Sequence, residues 1–302
     1  MTYYVGIDIG GTNIKYGLLT AAGTIIEDSQ IKTATSGACI IAEITQIVKA
    51  YQESYDIKAV GVSAPGVIRN DGFMVTGGAI HDFYGINLRE LLEEATGLPT
   101  FVENDANCAA LAEKWLGAGR EYHDILAVVV GTGIGGGIII NDQLFKGAHA
   151  TAGEFGFMIV EPIQNQDSRM ATLSLTGSVG CGIVLKYGEK IGSDEYLDGE
   201  AIFARLAEGE IEATEVIGNF YNRLAIGIFN MAVSFDPEII LIGGAISGNP
   251  TFMTELTHQV HELKRQHRDM GPIVLPEIAP CQFLNKAGII GATYKAKLGI
   301  EK

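Results

Sequence analysis

The residues best suited to chemistry stand together in the segment 101–107, where Glu103, Asn104 and Asp105 form a dense polar cluster. A short apolar run at 99–102 has the pattern of a buried strand. Ala109, Leu111, Ala112, Trp115 and Leu116 then recur at helical spacing. The junction between a strand end and a helix start is where open α/β sheets bind ligands. Helix capping is the plainer reading, because Asn and Asp are favoured N-caps. One cap needs one such residue, however, and here three polar side chains are adjacent. Two glycine turns offer a second chemistry. Gly10-Gly11-Thr12 and Gly131-Thr132-Gly133 can bring backbone N–H groups close to an anion, and Thr12 adds a hydroxyl donor. Asp8, at the end of the strand before the first turn, could orient a hydrated Mg2+.

The elements that must position these groups follow from periodicity. Residues 3–20 read as strand, glycine turn and strand, and 24–33 adds a third strand to an antiparallel meander. The turn is not a P-loop, since no Gly-Lys-Ser/Thr follows and a strand rather than a helix comes next. Residues 125–140 repeat the pattern of strand, Gly-Thr turn and strand. The chain therefore reads as two halves on one plan, with the Asn-Asp cluster between them. Helices are predicted at 36–55, 88–95, 106–116, 199–208, 212–235, 251–265 and 286–298, that at 251–265 being exposed and charged. Strands are predicted at 57–63 and 238–242, the latter running into Gly243-Gly244, a third site of close backbone approach. Segments 69–85 and 161–182 read as irregular, and 147–157 as a polar, glycine-rich loop carrying Glu154.

Composition narrows the class. A chain of 302 residues, 47% hydrophobic and with 39 glycines, fits a soluble α/β protein of roughly two domains. A net charge of −15 without a Lys/Arg block argues against nucleic acid or an anionic membrane as partner. Cys39, Cys108, Cys181 and Cys281 are too dispersed for metal or redox motifs, which points to reduced thiols in the cytoplasm. The chain enters its first strand without a signal peptide.

With these residues in view, the chain resembles the ROK family of sugar kinases and regulators, within the actin-like ATPase superfamily. The resemblance rests on Asp8-Ile-Gly-Gly-Thr12, Glu103-Asn-Asp-Ala-Asn107, Gly131-Thr-Gly-Ile-Gly-Gly136, Ala152-Gly-Glu154 with Gly156, and Ile242-Gly-Gly244, in that order. It implies a two-domain α/β fold of the actin-like (ribonuclease H-like) type with mixed sheets. A small domain over 1–117, joined by the C-terminal helix 286–302, and a larger one over 118–285 are expected. Family repressors carry a helix-turn-helix before the first glycine turn, for which this chain has no room, so the kinase branch is expected. By resemblance, Gly10, Gly11 and Thr12 form the first phosphate loop, and Gly131, Thr132 and Gly133 the second. Gly243 and Gly244 lie against the nucleoside. Gly66, Asn104 and Glu154 hold the sugar, and Asp105 is the general base. ATP with Mg2+, a sugar or glycoside acceptor and a homodimer follow from the same source. Closure of the two domains is expected to hinge near Gly117–Gly119 and near the start of the last helix.

Two departures from the family pattern refine the expectation. Its usual His after Ala-Gly-Glu-x-Gly is Phe157 here. Its Cys-x-Cys-Gly-x-x-Gly-Cys-x-Glu zinc motif is reduced to Gly177, Gly180 and Cys181, with Ser174 and Thr176 at the first two thiolate positions and Ile183 at the closing Glu. One Cys without a His cannot make a tetrahedral zinc site, so no structural zinc is expected. In the family the missing His and Glu bind hydroxyls at the anomeric end of the sugar. Their apolar replacements favour O1-substituted acceptors, and the resemblance to β-glucoside kinases points to cellobiose or an aryl β-glucoside. Glucokinase and N-acetylmannosamine kinase are the alternative enzymes. A sugar-sensing protein without catalysis is the alternative outside enzymes.

Overall fold

The computed structural model describes residues 2–163, 167–192 and 197–301. In chain order the elements begin with β1 (Tyr3–Ile9), β2 (Asn13–Thr20), β3 (Ile25–Lys32), α1 (Gly37–Gln52), β4 (Ile57–Ala64), α2 (Leu88–Thr96), β5 (Thr100–Asn104) and α3 (Asp105–Leu116). Next come β6 (Ile125–Val130), β7 (Ile134–Ile140), β8 (Gln143–Leu144), α4 (Leu173–Gly177), α5 (Lys186–Ile191), α6 (Gly199–Ala207) and α7 (Ile211–Phe235). The chain ends with β9 (Ile239–Gly243), α8 (Pro250–Gln266), β10 (Glu277–Pro280) and α9 (Ala287–Ile300). It divides into two compact units. Unit 1 comprises Met1–His123, Gly137–Ala152 and Gln282–Lys302, and unit 2 comprises Asp124–Gly136 and Gly153–Cys281.

Unit 1 is built on a sheet of order β3-β2-β1-β4-β5. The meander β1–β2–β3 is antiparallel, and β1, β4 and β5 run parallel. Ser36 starts α1 by accepting the N–H of Cys39, and Ile40, Ile44 and Val48 then recur every four residues and are buried. They join Ile7, Val60, Val62 and Leu88 in one apolar core. Full burial of such a side chain stabilises by about 1.5–3 kcal/mol. α9 packs across β1 and β4 and against α3.

The segment Gly137–Ala152, expected within the larger second block, groups with unit 1. Gly137 lies against Ala106, Asn107 and Ala110 of α3, and Lys146 pairs with Glu103 of β5. The glycines expected to act as a hinge are tied down within the same unit. Glu113, fully buried, accepts the N–H groups of Gly117 and Gly119 at its carbonyl, that of Ala118 at Oε2 and that of Phe283 at Oε1.

The second sheet has the order β10-β9-β6-β7-β8, with β10, β9 and β6 parallel. In unit 2 the reading of 161–182 as loop is corrected. Ser168–Ala171 is a 3-10 turn, α4 follows, and Val179–Leu185 is a π-helical turn. Residues 164–166 of that stretch lie outside the described residues. α8 is capped by Asn249 with Pro250 in its first turn, and it is less exposed than expected, since Phe252, Leu256 and Val260 are buried. Among the described residues no helix is long and apolar enough to cross a membrane.

Candidate active site

In unit 1 the strand register assembles the carboxylates. Asp8 of β1 lies opposite Ser63 of β4, and Ser63 lies opposite Glu103 of β5, so three parallel strands bring their C-terminal ends into one row. Ser63 Oγ donates to Asp8 Oδ1 at 2.7 Å. The Asp8 carboxylate packs against the first turn of α9, where a Cβ on Gly288 would lie 2.2 Å from Asp8 Cγ. Only glycine fits there.

β5 ends at Asn104, and capping accounts for much of that residue. Asn104 Oδ1 accepts the N–H groups of Ala106 and Asn107, at 2.9 and 3.1 Å, and Nδ2 donates to the Gly66 carbonyl at 2.9 Å. The Asn104 side chain also hydrogen-bonds the neighbouring Asp105 carboxylate. Capping does not account for Asp105, whose side chain stands open to solvent at the first position of α3. Desolvation by the surrounding protein raises the pKa of Asp105. The N–H of Ala106 opposes the rise, and the negative charge of Asp8 adds to it. Because the side chain still meets water, the rise falls short of what full enclosure would give. Asp8 is raised as well, again by desolvation, against the Ser63 hydrogen bond and the charge of Lys15.

Beneath this pair lies a buried ion cluster. Glu103, 0% exposed, is met by Lys146 Nζ at 2.9 Å and by Lys295 Nζ at 2.8 Å, and it also accepts from the Asn104 N–H and Asn107 Nδ2. Burial opposes ionisation of Glu103, but the two ammonium groups outweigh it and hold the carboxyl below its ordinary value. Lys146 is lowered instead, chiefly by desolvation and partly by the second cation. Two cations sharing one anion give this asymmetry. The sequence reading passed over Lys146 and Lys295. Neither carries a local signal, since Lys146 follows the polar run Asn141–Gln143 and Lys295 stands two residues before Lys297.

The glycine turns share one device. In unit 1, Thr33 Oγ1 donates to the Gly10 carbonyl at 2.6 Å, and the Thr33 N–H donates to the Thr12 carbonyl at 2.9 Å. A trans peptide points its N–H opposite its C=O, so the N–H of Gly11 faces away from β3. In unit 2, the Gly131 carbonyl accepts from the N–H groups of Val179 and Gly180, and the Thr132 carbonyl accepts from Ser178 Oγ at 3.0 Å. The N–H groups of Thr132 and Gly133 therefore face away from that clamp. Ser174 Oγ accepts the N–H of Ile134 just beyond the turn. Gly243 ends β9 beside Val129 of β6, and Gly244 has φ +91°, with a Cβ there only 2.1 Å from the Val130 carbonyl oxygen.

Structure thus gathers Asp8, Gly10, Gly11, Thr12, Gly66, Asn104 and Asp105 in unit 1, and Gly131, Thr132, Gly133, Glu154, Gly243 and Gly244 in unit 2. Glu154 is half-buried and leads into the 3-10 turn Phe155–Phe157. Phe157 is 71% exposed, whereas Ile183 is 0% exposed. Ile183 is therefore a core residue of unit 2 and offers no surface to a sugar, contrary to the role expected for it.

The ROK family model matches residues 4–298. A β-glucoside kinase from Listeria monocytogenes is 39% identical over 292 residues, which is 95% of each protein. Among solved structures, a ROK family protein from Streptococcus pneumoniae in complex with sucrose has a TM-score of 0.88 and 32% identity, covering 99% of both chains. A ROK family glucokinase from Streptomyces griseus in complex with glucose and AMPPNP has a TM-score of 0.79 and 26% identity, covering 98% of this chain and 100% of that one. With its motifs in order and the match running nearly end to end, this chain belongs to the ROK family and has the actin-like ATPase fold.

Proposed function

We propose that this ATP-dependent sugar kinase phosphorylates the 6-hydroxyl of a β-glucoside such as cellobiose. The observation that carries the reading is Asp105. It is a solvent-reached carboxylate, more basic than an ordinary Asp, at the helix start that follows three parallel strand ends. Phosphoryl transfer needs mainly positioning and charge neutralisation. In this reading Asp105 orients the attacking hydroxyl and takes its proton late in the transfer. Asn104 hydrogen-bonds the sugar together with Glu154 and Gly66. The outward N–H groups of the two glycine turns hold the ATP phosphates, and Gly243 and Gly244 give the nucleoside close access to backbone. Mg2+ bound with ATP neutralises charge on the phosphate oxygens. The residues fit such a cation, since desolvation raises both Asp8 and Asp105 and the charge of Asp8 raises Asp105 further, so both would be eased by positive charge.

The preference for a substituted O1 rests on the β-glucoside kinase relative and on Phe157, an exposed phenyl where the family has a polar His. A free anomeric hydroxyl left without its partner would cost about 1–3 kcal/mol. The segment carrying Ser174 and Thr176 holds itself by hydrogen bonds to the Ile134 N–H and the Thr172 carbonyl, so we read it as needing no zinc. All four cysteines are free thiols, in keeping with a cytoplasmic protein, and a homodimer is the assembly the family implies. A coupled ADP-release assay over glucose, N-acetylmannosamine, cellobiose and aryl β-glucosides tests the reading. A β-glucoside is expected to give the highest kcat/KM. A higher value for glucose than for every β-glucoside would return the assignment to glucokinase, and no sugar-dependent ADP release would favour a sensor.

A further inference from the structure

The cluster beneath Asp105 carries costs that packing alone does not explain. Glu103 and Lys146 are both buried, so a full ion pair is held out of water. Replacing such a pair by well-packed apolar side chains of similar volume is often neutral or stabilising. The cluster also leaves one acceptor unmet. Asn107 is buried and gives Nδ2 to Glu103 at 3.1 Å, yet its Oδ1 is buried without a hydrogen-bond partner. Turning the amide over would set that oxygen against the Glu103 carboxylate. A buried charge and an unmet acceptor so close to Asp105 call for a reason beyond stability.

The contacts of Glu103 supply one. Its Oε1 accepts the N–H of Asn104 at 3.0 Å and Asn107 Nδ2, and lies 2.9 Å from Lys146 Nζ. Its Oε2 accepts Lys295 Nζ at 2.8 Å. One carboxylate therefore joins the end of β5, the first turn of α3, the segment that follows β8, and α9, all within unit 1. The Asn104 side chain in turn bonds the Gly66 carbonyl and the Asp105 carboxylate. A run of hydrogen bonds thus leads from α9 through Glu103 and Asn104 to Asp105. Its first and last links each involve an ionised carboxylate, which makes them the stronger kind.

We propose that Lys295 and Lys146 are positioning residues for phosphoryl transfer. Acting through Glu103, they hold Asn104 and so set the Asp105 carboxylate where it meets the acceptor hydroxyl. The inference rests on the reading of Asp105 as proton acceptor, and a double-mutant cycle tests the two separately. Wild type, Lys295→Met, Asp105→Asn and the double variant are compared with ATP and the best acceptor of the panel above. Misplacement of a reacting group by about 1 Å can cost ~10²-fold in rate. Lys295→Met is expected to lower kcat by at least about tenfold while Asp105 is present, and by less than about twofold once it is Asn. The KM for ATP should not change. Lys295→Arg keeps the charge at a partly exposed position and should stay within about threefold of wild type. Asn107→Ala removes one donor to Glu103 but keeps the backbone N–H that Asn104 accepts. It should lower kcat about threefold, and the same cycle run with it decides the matter if Lys295→Met does not fold. Equal losses with and without Asp105, or a KM for ATP that rises with the loss, would make the cluster structural only. Wild-type kcat in both Lys295→Met and Asn107→Ala would overturn the positioning role and leave Asp105 in place. Near-normal turnover in Asp105→Asn would end the proton-acceptor reading, and the positioning role with it.

Discussion

In unit 1 the carbonyls of the first glycine turn are held by Thr33, a residue of the same meander. In unit 2 those of the second turn are held by Ser178, Val179 and Gly180, more than forty residues further along the chain. Neither turn carries a cation, and each offers an anion only backbone N–H groups. The charged groups instead gather in unit 1, where Asp8 and Asp105 stand above the Glu103–Lys146–Lys295 cluster. The comparison separates two tasks. In the proposed function, holding phosphate is backbone work that either clamp can do, whereas moving a proton needs a carboxylate both open to solvent and raised in basicity, as Asp105 is. It also shows what the remnant of the zinc motif does here. Gly180 lies against Thr132, with a Cβ at that position 2.7 Å from the Thr132 carbonyl oxygen, so the glycines that remain serve the second turn while the thiolate positions have become hydrogen-bonding hydroxyls.

The largest expected effect breaks the comparison on the side of unit 1. Asp105→Asn should lower turnover by at least ~10²-fold, the scale of general-base loss, while ATP affinity holds because both turns are intact. Near-normal turnover would remove Asp105 from the mechanism. The same residue sets a pH dependence. A carboxyl whose pKa is raised becomes protonated sooner as pH falls, so kcat/KM should drop on the acid side with a midpoint above the reference Asp value of about 3.9. Asp8→Asn removes a charge that contributes to the rise and should move that midpoint down. A midpoint at or below the reference value would contradict the electrostatics described.

A second change addresses the cluster below. Lys146→Met leaves the buried Glu103 carboxylate with Lys295 alone. Breaking a buried ion pair costs about 3–5 kcal/mol, and the remaining cation places this case near the lower end. Urea unfolding at neutral pH measures it, and a loss under about 0.5 kcal/mol would show that the pair contributes little. Glu103 has a lowered pKa in the folded state, so its contribution is present above its unfolded pKa of about 4.3 and is lost as pH falls through the lower folded value.

The smallest effects compare the two clamps directly. Thr33→Val and Ser178→Ala each remove one hydroxyl held to a turn carbonyl. A neutral hydrogen bond of about 1 kcal/mol corresponds to roughly fivefold in affinity. Each variant should raise the KM for ATP on that scale and leave the KM for sugar unchanged. Equal shifts in both constants would mean that the clamps support the fold generally rather than the turns.

Much of this was legible in the sequence, for local reasons. The β1–β2–β3 meander, α1 and the placement of Asp105 at a strand–helix junction all follow from short-range periodicity and capping. Three things were not legible. The 168–185 stretch hides its helical turns because its buried apolar side chains, Ala171, Leu173 and Ile183, are spread over three different helical geometries and no single period links them. Lys146 and Lys295 lie 43 and 192 residues from Glu103, and pairing at such range leaves no local trace. Gly117 and Gly119 read as a flexible link, but the buried carboxylate of Glu113 binds the backbone between them and at Phe283.

The central claim is that an intact β-glucoside receives the γ-phosphoryl group of ATP on its 6-hydroxyl. Nuclear magnetic resonance of the product from cellobiose, ATP and Mg2+ tests it most directly. The account predicts one ADP released per disaccharide, a phosphorus signal coupled to the C6 protons of the non-reducing ring, and an unbroken glycosidic bond. Phosphate on another hydroxyl, or ADP formed without any phosphorylated disaccharide, would contradict it.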